Sequence, residues 1–150
     1  MNDLNTSYLW FLKKQIYSKK GISFNYYNLD NAATVFSLIN KKKMPGLFRL
    51  EVTLKENIKL DVLQNAFEQI IYRFPYFNVN LRPGIFWPFW ETNYTAPKIQ
   101  EDTKFPCRKH KIFKHGTLPF KVLHNKNKIA VEFHHTVTDG TGALTFLKSL

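Results

Sequence analysis

Between Phe48 and Leu81 the apolar residues change their period twice, and this constrains the fold more than any other feature of the chain. Phe48, Leu50, Val52 and Leu54 alternate with Arg49, Glu51 and Thr53, the period of two expected of a half-buried strand. Leu60, Leu63, Ala66, Phe67, Ile70, Ile71 and Phe74 then recur at steps of three and four. That spacing winds them onto one face of a helix of about four turns, ended by Pro75. Phe77, Val79 and Leu81 alternate with Asn78, Asn80 and Arg82 as a second strand, stopped by Pro83-Gly84. Strand, helix and strand in close succession predict an α/β class whose apolar faces need further elements to cover them.

Further elements follow. Leu118 to Leu123 and Lys128 to Phe133 flank Asn125-Lys126-Asn127 and read as a hairpin with a short loop. Ala143, Leu144, Leu147 and Leu150 mark one face of a helix. Residues 83–117 hold Pro83, Pro88, Pro97 and Pro106 together with Trp87 and Trp90, and lack a sustained period, so they read as loops with short extended pieces. In residues 1–28, Tyr8, Phe11, Leu12 and Ile16 lie at helical spacing, which suits a short helix or arm packed on the rest. No repeat and no linker divides residues 1–150, and a chain of 150 residues is sized for one core, since single domains hold about 100–200 residues.

The formal net charge of +11 raises the question of nucleic acid or an anionic membrane surface. The basic residues answer against nucleic acid: only Arg49, Arg73, Arg82 and Arg108 are arginines, and the rest are lysines, whereas planar bidentate recognition of bases and phosphates favours arginine. Lys41-Lys42-Lys43 reads as an exposed loop or a docking patch. No apolar run approaches the ~20 residues that span a bilayer, and Tyr8 to Leu12 is followed by its lysines where a secretory segment would have them first. Membrane association is therefore not expected. Cys107 is the single cysteine and has no internal partner, which fits a reducing, cytoplasmic setting.

The chemistry concentrates after the hairpin. Ile129, Val131, Phe133 and His135 fall on one face of the predicted strand, with Glu132 and His134 on the other. A histidine where a strand enters a loop containing Gly140 and Gly142 suits a general base, because an ordinary imidazole pKa of ~6.5 allows a proton to be taken and returned near neutrality. Asp139 is placed either to orient an imidazole or to cap the helix that follows. Gly140 allows a ligand to approach the backbone, or a positive φ.

The string His134-His135-Thr136-Val137-Thr138-Asp139-Gly140 resembles the H-H-x-x-x-D-G signature of the coenzyme A-dependent acyltransferase superfamily. This superfamily includes chloramphenicol acetyltransferase, condensation domains and alcohol O-acetyltransferases. Phe48 to Leu81, with Arg73-Phe74-Pro75-Tyr76-Phe77, and Leu29-Asp30-Asn31-Ala32-Ala33 are similar to the N-terminal half of alcohol acetyltransferase-like members. The resemblance covers residues 26–150. It implies a chloramphenicol acetyltransferase-like two-layer mixed-sheet sandwich, of which this chain is one half.

The resemblance also implies a reaction: transfer of an acetyl or acyl group from a coenzyme A or carrier-protein thioester to a small alcohol or amine. His135 would act as general base, His134 would be structural, Asp139 chiefly architectural, and Gly140 would leave space. No tightly bound cofactor and no metal are implied; acetyl-CoA or another acyl-CoA is a cosubstrate. The usual arginine partner of the motif aspartate is replaced by asparagine at the aligned position, which leaves Arg73, Asn78 and Arg82 as candidates for Asp139. The second half of the family fold, with its D-F-G-W-G-like element, is the expected partner, on this chain's continuation or on another chain.

Two other readings are open on the residues alone. Cys107, His110, His115 and His124 are types that can ligate zinc, although their spacing matches no established zinc pattern. A non-catalytic binding or assembly domain, or a truncated inactive fragment, would keep the fold without turnover. The aromatic stretch Phe86 to Trp90 either lines an apolar acceptor site or belongs to the core.

Overall fold

The computed structural model describes residues 26–39, 46–93, 97–108, 110–114 and 116–150. The arm expected over residues 1–28 therefore lies outside the described residues up to 25, as do Lys41-Lys42-Lys43 and His115. In chain order the elements are β1 (Tyr26–Asn28), α1 (Asn31–Leu38), β2 (Leu47–Thr53), α2 (Leu60–Ile70), a 3-10 turn (Ile71–Arg73), β3 (Val79–Arg82), β4 (Phe89–Thr92), β5 (Gln100–Glu101), β6 (Phe120–Asn125), β7 (Lys128–His134) and α3 (Gly140–Ser149). They build two sheets, a four-stranded one in the order β2-β7-β6-β5 and a three-stranded one in the order β1-β4-β3. The larger sheet is mixed, since β5 runs parallel to β6 while β2, β7 and β6 are antiparallel.

The helical period from Leu60 holds, with one change. The α-helix ends at Ile70 and its last turn tightens to 3-10, so that Phe74 is still carried onto the buried face ahead of Pro75. Leu63, Phe67, Ile70, Ile71 and Phe74 pack with Phe146 of α3 against Phe120, Val122, Ile129, Val131 and Phe133 of the larger sheet. Each such aromatic or branched side chain removed from water contributes roughly 1.5–3 kcal/mol, and this cluster is the main core. The hairpin forms as expected, and its turn is made possible by Lys126 at φ 51.

The opposite face of the larger sheet is also buried in part, at Leu123, Ala130 and Glu132, which strand alternation alone does not reveal. Arg49 reaches across it with a fork to Asp102 at 3.0 and 2.6 Å, and to Glu132 at 3.3 Å and Glu51 at 2.8 Å. Hydrogen bonding to Arg49 holds the Asp102 and Glu51 carboxyls below their ordinary pKa, in Glu51 with help from Lys128. Burial likewise lowers the His110 imidazole, against the opposing bond that Nε2 makes to the Leu118 carbonyl.

These shifts act on stability in one direction. A depressed folded-state pKa means the unfolded chain binds more protons as pH falls, so stability is lost on acidification. The His110 share is lost as pH drops below about 6.5, and the carboxylate share only below about 4. We expect the urea midpoint to fall between pH 7.5 and 5.5, and His110→Gln, which keeps a donor for Leu118, to flatten that fall. An unchanged slope in the variant would assign the acid response elsewhere.

The smaller sheet revises two expectations. Residues 83–117 contribute β4 to it, and β5 to the larger sheet, and Trp90 is not in a loop but in a second core with Val79, Leu81 and Ile112. Asn78 and Asn80, expected to face solvent, are buried because Asn93 after β4 meets both: its amide donates to Asn78 at 3.0 Å and its oxygen accepts from Asn80 at 3.2 Å. At the β3–β4 turn, Ile85, Phe86 and Trp87 stand in solvent.

Candidate active site

β7 is paired on both sides, with Leu47 opposite His134 on β2 and Phe120 opposite Phe133 on β6. The motif thus begins at the end of the most firmly held strand of the larger sheet. Beyond it, Val137 packs against both cores, so the loop from His135 to Asp139 runs across their junction.

His134 is wholly buried. Its Nδ1 lies 2.9 Å from Thr136 Oγ1 and accepts the Thr136 N–H at 3.3 Å, which leaves the ring proton on Nε2. Its own N–H donates to the Pro119 carbonyl, and its carbonyl accepts from Val137. These bonds bend the chain tightly after the strand. Gly46, at φ 61, closes over the ring, and a Cβ there would meet His134 Nε2 at 3.0 Å. Gly46→Ala should cost about 1–3 kcal/mol, from the left-handed backbone and the crowding together, measured by urea unfolding. A loss below 0.5 kcal/mol, roughly the size of an ordinary surface change, would mean this contact is loose.

His135 differs from its neighbour in every respect. Its backbone N–H donates to the Gly46 carbonyl at 2.8 Å, extending the β2–β7 ladder by one residue. The side chain is half-buried and lies on the face of Phe133, as the alternation predicts. It touches Phe48 of β2 and Phe36 of α1, with ring centroids 4.4 and 4.9 Å away. Its ring nitrogens make no hydrogen bond among the described residues.

Asp139 caps α3, accepting the Gly142 N–H at 2.9 Å. Of its three candidate partners, Asn78 is held by Asn93, Arg82 pairs with Glu91 at 3.2 Å, and Arg73 is exposed; none is brought to Asp139. Gly140 is the first residue of α3 and does not take the positive φ weighed for it, but a Cβ there would meet nothing within 4 Å, so the space in front of it is open. A cleft of about 390 Å³ lies beside the motif, lined among others by Tyr27, Tyr76, Trp90, Thr136 and Val137. Phe86 and Trp87 take no part in it.

Of the residues weighed for zinc, His115 lies outside the described residues, and Cys107, His110 and His124 are not assembled as a metal site. Among the described residues no three His, Cys, Asp or Glu side chains gather as a metal site. Cys107 donates its N–H to Glu132, and burial, with the Glu132 carboxylate, pushes its thiol pKa up, away from nucleophilic use. Also among the described residues, no helix is long and apolar enough to cross a membrane.

No family model and no curated protein matches the sequence. Solved structures do match: the starter condensation domain of rhizomide synthetase RzmA superimposes with a TM-score of 0.66 at 12% identity, over 83% of this chain and 36% of that one. Two substituted forms of the same domain give the same TM-score and coverage at 13% identity. The fold matches one half of the condensation-domain fold. The mixed α/β class and half-domain implied by the motif resemblance are thereby found, here with two sheets, and the chain spans about a third of the length of the chain it matches.

Sequence reasoning missed α1 and Gly46. Asp30, whose side chain accepts the Ala33 N–H, was the available signal for a helix start.

Proposed function

We propose that this chain is the N-terminal half of an O-acyltransferase. It would move an acetyl or longer acyl group from a coenzyme A or carrier-protein thioester to an alcohol, with His135 as general base. The observation that carries the reading is the contrast within the motif. His134 is buried and engaged, whereas His135 stands half-open at the end of β7 with its nitrogens uncommitted among the described residues.

In the reaction, a ring nitrogen of His135 takes the hydroxyl proton as the oxygen attacks the thioester carbonyl. The tetrahedral adduct collapses, the C–S bond breaks, and the imidazolium returns the proton to the departing thiolate. No acyl-enzyme forms, so the half-buried Cys107 thiol has no role. The aromatic cleft beside Thr136 and Val137, which His135 itself does not line, suits the apolar part of an alcohol. The open space at Gly140 suits the donor or the second half of the fold. Asp139 shapes the start of α3 rather than taking a proton.

The test is thiol release from acetyl-CoA and longer acyl-CoA donors, across a series of apolar alcohols, by the gene product carrying both halves. Acceptor-dependent release supports the reading. Binding of acceptor without release from any acyl-CoA or acylated carrier protein would leave a non-catalytic domain of the same fold.

A further inference from the structure

We infer that Phe36 and Phe48 form an aromatic clamp that orients the imidazole of His135, and that both are positioning residues for acyl transfer; this rests on the function proposed above. A histidine side chain has a broad second torsion, and with no hydrogen bond to its nitrogens among the described residues the ring needs another source of orientation. Phe48 supplies one wall from β2, at 4.4 Å and 35° between planes, and Phe36 the other from α1, at 4.9 Å and 20°. Neither phenyl ring makes a ring contact with the other, so the imidazole is contacted by two separate walls, one from each element. Face contacts of this kind leave the ring edge, which carries both nitrogens, without a hydrogen bond among the described residues. A proton can then be taken only from an acceptor hydroxyl approaching in the imidazole plane, the direction in which a general base works.

The two walls have different structural standing. Phe48 also stacks on Phe133 and packs against the main core, whereas Phe36 belongs to neither core cluster. Phe36 is therefore the residue to change, because its loss leaves the sheet and both cores in place.

In the complete protein, Phe36→Leu should lower kcat about 10-fold with KM for donor and acceptor unchanged, since a small misplacement of a catalytic group costs up to about 10²-fold. Phe36→Tyr, which restores a ring face, should recover the parent rate. Proton NMR gives a readout independent of turnover: the His135 ring protons, assigned by their absence in His135→Gln, should lie upfield in the parent and move toward free-imidazole positions in Phe36→Leu. Unmoved resonances in Phe36→Leu would show that no clamp exists. Moved resonances with an unchanged kcat would show a contact that positions nothing. If the parent protein releases no thiol, the acyltransferase reading fails, and the resonances still decide whether the imidazole is held.

Discussion

His135→Ala in the complete protein is expected to lower acyl transfer by about 10²–10⁴-fold, the usual contribution of a positioned general base. The substitution removes the only motif side chain that combines partial exposure with an imidazole edge free of hydrogen bonds among the described residues. It also opens a gap between Phe36 and Phe48, so His135→Gln is the better-filled companion and should be as inactive. Because the ring is half-buried and lies at the end of β7, stability should change by only about 1 kcal/mol in either variant. The discriminating comparison is with His134→Ala, which strips a wholly buried, bonded ring from under Gly46 and should lower stability and activity together. Turnover within threefold of the parent in both His135 variants would remove this residue from the mechanism.

Phe133→Ala is expected to cost about 3–5 kcal/mol, against a total stability of about 5–15 kcal/mol for a domain of ordinary robustness. Phe133 has no exposed surface. It stacks on Phe120 at 5.0 Å and 9°, and lies within 6.2 Å of Phe48, Phe77 and Phe146. Truncation removes the ring around which β2, β6, the turn after α2, and α3 meet, and an aromatic cage of this kind closes poorly over a void. With a urea slope of about 1–3 kcal/mol/M, the midpoint should fall by roughly 2 M. Phe86→Ala is the control of equal chemistry, since Phe86 is 86% exposed and its loss should change stability by no more than about 0.5 kcal/mol. Equal midpoints for the two variants would contradict the core described above.

Much of this was legible in the sequence where the determining contacts are local. The helix from Leu60 and the hairpin around Lys126 are written in short-range periods and turn residues, and both stand where the spacing puts them. The motif was legible because its chemistry sits in seven consecutive positions.

What escaped depends on partners distant in the chain. Helix α1 buries Ala33 and Ser37 while exposing Val35 and Leu38, which inverts the hydrophobic pattern, so that only the cap at Asp30 announces it. Asn78 and Asn80 read as solvent-facing because their partner is Asn93, which follows the next strand. The fork from Arg49 to Asp102 could not be inferred from either residue, and the partners that the motif resemblance implies for Asp139 are not brought to it. Phe36, the outer wall of the candidate site, went unseen with its helix.

The pairing of β2 with β7 also bears on how the site comes into being. The β6–β7 hairpin turns through two residues and can form from neighbours alone, whereas Arg49 and Glu132, adjacent across β2 and β7, are separated by 83 residues. Closing so long a loop is entropically costly, and long-range strand pairing of this kind slows folding. Both Gly46, which covers His134 and holds the backbone of His135, and Phe48, which walls its ring, arrive only with β2. A chain that has folded its hairpin but not yet docked β2 carries the whole motif in place along the strand and none of its surroundings, so the site is assembled by the slowest contact in the sheet.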